Sequence, residues 1–151
     1  MIVSSIALSA FTLGSCDKND DDVDNNMNPY TISGNASGSQ VVPSVNGTGT
    51  GTITGAYDPS SRILTYSSGW TGLTGAPGTA GFYTGASGAA GTAVGTPWTF
   101  EAGTTGTGTL TGTMTLTEEQ ASQLTSGNWY YSYGTTANPN GEVRGQITAV
   151  Q

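Results

Sequence analysis

Gly49–Tyr57 (G-T-G-T-I-T-G-A-Y), Asp58-Pro59-Ser60-Ser61 and Arg62–Trp70 (R-I-L-T-Y-S-S-G-W) run on without a break, and their reading decides the fold. Thr alternates with Gly, Ile and Tyr on the first arm, which is the period of a half-buried strand. Asp-Pro-Ser-Ser carries turn residues, and the second arm again mixes β-branched, aromatic and small residues, so the stretch predicts a hairpin. Working outward, further strands are expected at Tyr30–Asn35, Ala80–Thr84, Pro97–Glu101, Gly106–Leu116, Asn128–Gly134 and Glu142–Val150. Within Gly106–Leu116, Leu110, Gly112, Met114 and Leu116 alternate with Thr, and Trp98 and Phe100 share one face of their segment. Thr117-Glu118-Glu119-Gln120 is a capping box, which predicts one short helix near 118–124 with Ala121 and Leu124 turned inward and Gly127 ending it. About seven or eight short strands with one helical turn predict an all-β fold, an antiparallel, Greek-key-like β-sandwich.

Composition agrees. Charged residues make up 9% of the 151 positions and Gly supplies 24, so the Ala, Leu, Glu and Lys runs of a helical bundle are missing. Three Trp and seven Tyr provide enough bulk for a core, against a reading as a disordered chain. The net charge is −7, and five of the ten acids (Asp17, Asp20, Asp21, Asp22, Asp24) crowd one short tract with Lys18. No basic surface is available to neutralise phosphates, so no nucleic-acid partner is expected. One Cys and no His exclude an internal disulfide and most zinc or copper chemistry. No cofactor is expected.

The first residues read as an address. Ile2–Leu13 is an apolar stretch of signal-peptide length, too short to span a bilayer as a helix. Leu13-Gly14-Ser15-Cys16 follows and resembles the lipobox of bacterial lipoproteins, which implies lipidation of Cys16 and cleavage just before it. Residues 1–15 are therefore expected to be a signal peptide, 16–29 an acidic tether and 30–151 the folded domain. Asp20, Asp22 and Asp24 have calcium-loop spacing, but Asn25 and Thr31 stand where such a loop needs Gly and Glu. Acids just after the lipidated Cys instead resemble the export signal of Bacteroidetes surface lipoproteins, which implies the outer face of the outer membrane.

The domain resembles the chordin-type (CHRD) family. Ser37-Gly38-Ser39-Gln40-Val41-Val42-Pro43 resembles its opening S-G-x-x-E-V-P, Asp58-Pro59 with Leu64-Thr65-Tyr66 its D-P…L-T-Y hairpin, and Trp70-Thr71-Gly72-Leu73-Thr74-Gly75 its G-L-T-G turn. Most specific is Asn138-Pro139-Asn140-Gly141-Glu142-Val143-Arg144-Gly145-Gln146, against the family's N-P-x-G-E-[IV]-R-G-Q. The resemblance implies three histidines in a constellation like a metal site. This chain has Gly81, Tyr83 and Gly134 there, so no metal is expected.

Candidate sites are few. Glu142 and Arg144 lie two apart on a strand and so face one way; they are expected to form a structural ion pair beside the Asn138-Pro139 turn and Gly141. Asp58, Glu101 and Glu142 form no recognisable pair for glycoside hydrolysis. A serine nucleophile has no His to act as its base. Trp129, Tyr131 and Tyr133 share one strand face. If outward they form, with Trp70, a strip able to stack on sugars; if inward they fill the core, and the inward reading is favoured for Tyr133. The functional expectation is a non-catalytic surface lipoprotein that binds a protein of an outer-membrane complex. A carbohydrate-binding module using the aromatic strip is the alternative.

Overall fold

The computed structural model describes residues 27–151. The predicted signal peptide, Cys16 and nearly all of the acidic tether lie outside the described residues. The order is β1 (Tyr30–Ser37), a 3-10 turn (Gly38–Gln40), β2 (Thr50–Asp58), β3 (Ile63–Thr71), β4 (Thr79–Thr84), β5 (Thr92–Val94), β6 (Gly108–Thr115), α1 (Glu118–Thr125), β7 (Trp129–Gly134), β8 (Val143–Gln146) and β9 (Thr148–Val150). The fold is all-β and antiparallel with one short helix, as the sequence predicts.

The predicted hairpin is β2 and β3, paired without a bulge from Thr50↔Thr71 to Asp58↔Ile63. Asp58 closes its turn by accepting from Ser60 N (2.8 Å), Ser60 Oγ (2.6 Å) and Ser61 Oγ (2.8 Å). These donors hold the Asp58 carboxyl below the usual carboxylate range. The capping box forms as read: Gln120 N donates to Thr117 Oγ1 (3.2 Å) and Thr117 N to Gln120 Oε1 (2.9 Å). Leu124 is fully buried beneath the helix.

The nine strands form one sheet, ordered β5-β4-β7-β8-β1-β2-β3-β6, with β9 beside β1. The sheet curls until its two halves face each other across the core. Among the described residues the one register pair between the halves is Ser37↔Arg144. Gln40 reinforces that seam, its Nε2 donating to Asn35 O (2.8 Å) and its Oε1 accepting from Gln146 N (3.1 Å). Across the core, the Tyr66 and Phe82 rings lie 4.8 Å apart and those of Trp70 and Tyr133 5.2 Å apart. Ser68 Oγ donates to Thr52 O (2.9 Å), so the 2.6 Å bond between Ser68 and Tyr133 has the phenol as donor.

Two predicted elements change and one strand is added. Pro97–Glu101 is not a strand; the chain bends at Gly95, whose φ is 70°, and at Thr96, Trp98 N donates back to Ala80 O (2.9 Å), and the segment lays Trp98 and Phe100 over the core as irregular chain. The short strand β5 was not predicted and pairs with β4 from Phe82↔Val94 to Thr84↔Thr92. Glu142–Val150 is not one strand. Ile147 is buried and its N–H donates to Trp129 O (2.9 Å), so β8 stays with β7 while β9 crosses to β1.

Candidate functional site

β7 is buried along its whole length, not on alternate residues. Its inner face carries Trp129, Tyr131 and Tyr133, each 0% exposed, with Trp70 at 4%. The strip and Trp70 therefore belong to the core, and stacking on a sugar, which needs an open ring face, is unavailable to them. The carbohydrate reading of these four residues is corrected accordingly, and the inward placement favoured for Tyr133 holds. Burial pushes the Tyr131 and Tyr133 phenols far above the ordinary tyrosine range. The Trp129 Nε1 donor has no partner, the one such buried side-chain atom among the described residues.

The outer face of β7 is covered by loops, and the Asn138–Gln146 motif holds them there. Glu142 is 1% exposed. It accepts from Thr74 N (2.7 Å), from Thr74 Oγ1 (2.7 Å) and from Thr135 Oγ1 in a short bond. Burial works to raise its pKa, but the donations from Thr135 and Thr74 outweigh burial and hold the carboxyl below the usual range. Arg144 goes elsewhere. Its guanidinium lies 3.5 Å from the Tyr130 ring centroid and donates to Ala89 O (2.7 Å), Ala86 O (2.8 Å) and Gln146 Oε1 (3.3 Å). The predicted Glu142–Arg144 ion pair is thus absent. Glu142 precedes β8 and reaches the 74 and 135 turns, while Arg144 lies under the 85–91 loop. Gln146 completes the set, its Nε2 donating to Gly85 O and Gly127 O, both at 2.8 Å.

The turn before these clamps is equally local. Asn138 N donates to Thr135 O, Gly141 N to Asn138 O, and Glu142 N to Tyr133 O. Gly141 has a φ of 125°, which a side chain would strain. Pro139 offers its carbonyl to Thr79 Oγ1 (3.1 Å). Asn138, Pro139, Gly141, Glu142, Arg144 and Gln146 thus each have a structural use.

Residues 32–147 match the CHRD domain family. The chain belongs to it. Neither a curated protein nor a solved structure matches the chain.

The three positions at which the resemblance implies His come together in this CHRD domain. Gly81↔Ser132, Tyr83↔Tyr130 and Thr79↔Gly134 are register pairs, so Gly81, Tyr83 and Gly134 share the outer face of β4 and β7. The residues present do not suit a metal. Two have no side chain, and the third stacks on Tyr130 at 5.2 Å with 12° between the rings. Among the described residues no group of three His, Cys, Asp or Glu converges. The positions also differ in room. A Cβ at Gly81 would meet Pro97 Cα at 3.7 Å, whereas one at Gly134 would sit 2.8 Å from Pro139 O.

One surface was legible in the Thr alternation yet not singled out in the sequence. Thr50, Thr52 and Thr54 of β2, Thr65 and Ser67 of β3, and Thr109, Thr111 and Thr113 of β6 all point outward and are exposed. Register sets them in rows such as Thr54–Ser67–Thr111. A shallow depression of about 520 Å³ runs along Thr54, Thr65, Ser67 and Thr111. No charged side chain stands in these rows.

Proposed function

We propose that this chain is a non-catalytic binding module, held at the outer surface of the outer membrane by lipid on Cys16, that contacts a protein of an outer-membrane complex. The observation that carries the reading is the exposed Ser/Thr face of β2, β3 and β6. It is broad, uncharged and free of the clamping duties that occupy Glu142, Arg144 and Gln146. Hydroxyls and methyls on a rigid sheet suit a protein contact, because they cost little side-chain entropy to order and bring no charge to desolvate. The absence of His from the sequence and the lipobox resemblance at Leu13–Cys16 support the same reading.

The test is purification of the lipidated chain from its native envelope in mild detergent, beside a Thr52→Arg variant. A stoichiometric outer-membrane protein with the natural chain, lost with the variant, is expected. A partner retained equally by both, or none with either, would count against the reading.

A further inference from the structure

β6 ends the sheet, pairing with β3 on one side and with no strand on the other among the described residues. Such an edge offers unpaired N–H and C=O groups, which folded proteins usually blunt with Lys, Pro, a bulge or shortness. β6 has none of these. It is eight residues long, reads G-T-L-T-G-T-M-T and pairs with β3 without interruption. The opposite edge, β5, has only three residues.

We propose that β6 pairs antiparallel with β6 of a second copy of this chain, about a two-fold axis at Gly112. Opposite residues in an antiparallel pair share a face. This register sets Leu110 against Met114 of the second copy on the inner face, and Thr111 against Thr113 on the outer face. Leu110 and Met114 are half-buried within one copy, so each covers the other's exposed part. The register centred on Thr111 instead sets Leu110 against Gly112 and Met114 against Gly108, leaving both without an apolar neighbour. At the axis the Tyr66 ring of each copy packs over Gly112 where a Cβ would stand, so the inner face between Leu110 and Met114 is filled by that ring. Charge selects the same contact. The chain carries −7 overall, and copies repel wherever acids meet, but β6 has no ionisable residue. The contact is isologous and closes at two copies. It does not depend on the reading of the Ser/Thr face, although it would join two such faces into one.

The test uses the full chain with Cys16→Ser, so that introduced thiols are the only ones. Its mass is followed with concentration by light scattering, and Thr111→Cys and Thr113→Cys proteins are oxidised separately and mixed. Expected results are a rise from one copy to two, loss of that rise in a Thr111→Lys/Thr113→Lys variant but not in Thr52→Lys, and at least tenfold more disulfide dimer in the mixture than in either protein alone. Opposite positions in an antiparallel pair fall within disulfide reach, whereas positions two apart do not. A single-copy mass at every concentration, an undisturbed Lys variant, or equal crosslinking of Thr113→Cys by itself overturns the proposal.

Discussion

Replacing Glu142 with Gln preserves its shape and removes its charge. The carboxylate accepts from Thr74 N, Thr74 Oγ1 and Thr135 Oγ1. A hydrogen bond to a charged group contributes about 1.5–3 kcal/mol and a neutral one about 0.5–1.5, so the change weakens each by about 1 kcal/mol. The two hydroxyls are able to turn and accept from the new amide, which offsets part of the loss. The expected destabilisation is about 2–3 kcal/mol at pH 7, or a fall in Tm of roughly 10 °C for a domain of this size. Urea unfolding followed by Trp fluorescence measures it. Acid supplies an internal check. The folded pKa of Glu142 lies below its unfolded value, so its contribution is fully present above about pH 5 and is lost as pH falls through the folded pKa. The natural protein and the Gln variant should therefore converge in stability in acid, while Asp58, common to both, cancels. A Gln variant within about 0.5 kcal/mol of the natural protein at neutral pH, or a gap unchanged in acid, would refute the reasoning.

Other consequences follow from the same geometry. Tyr133→Phe should cost about 1 kcal/mol, and Ser68→Ala more, since it strands both the Tyr133 hydroxyl and Thr52 O; a double-mutant cycle by urea unfolding should show coupling of about 0.5 kcal/mol or more. Gly134→Ala should destabilise by about 1–3 kcal/mol because a Cβ meets the Pro139 carbonyl, whereas Gly81→Ala should be nearly neutral; thermal melts of the pair decide this. Thr117→Ala removes the capping box and should cost about 1 kcal/mol, with faster amide exchange at Gln120 and Ala121.

Much of the fold was legible because strand alternation and capping are local. Thr117-x-x-Gln120 states its own hydrogen bonds, and the Thr/Gly/Ile period of β2 sorts its two faces without reference to other strands. The Asn138–Gln146 motif was legible as a signature but not as a mechanism. Glu142 and Arg144 lie two apart, which suggests a pair, yet two of the three acceptors of Arg144 are the backbone carbonyls of Ala86 and Ala89, and carbonyls leave no mark in a sequence. The partners of Glu142, Thr74 and Thr135, are ordinary residues whose value depends on where two turns meet.

The sequence by itself determined the all-β class, the β2–β3 hairpin, the α1 cap and the lack of imidazole ligands, since each rests on residue identity or on spacings of a few positions. Only the tertiary structure decided that both faces of β7 are covered, that Ile147 breaks the last strand between the two halves, and that the aromatic strip lies in the core. Those outcomes depend on which surfaces curl together from distant parts of the chain. A period-two pattern is the same whether its apolar face meets a ligand or the opposite half of the sheet; burial alone distinguishes them.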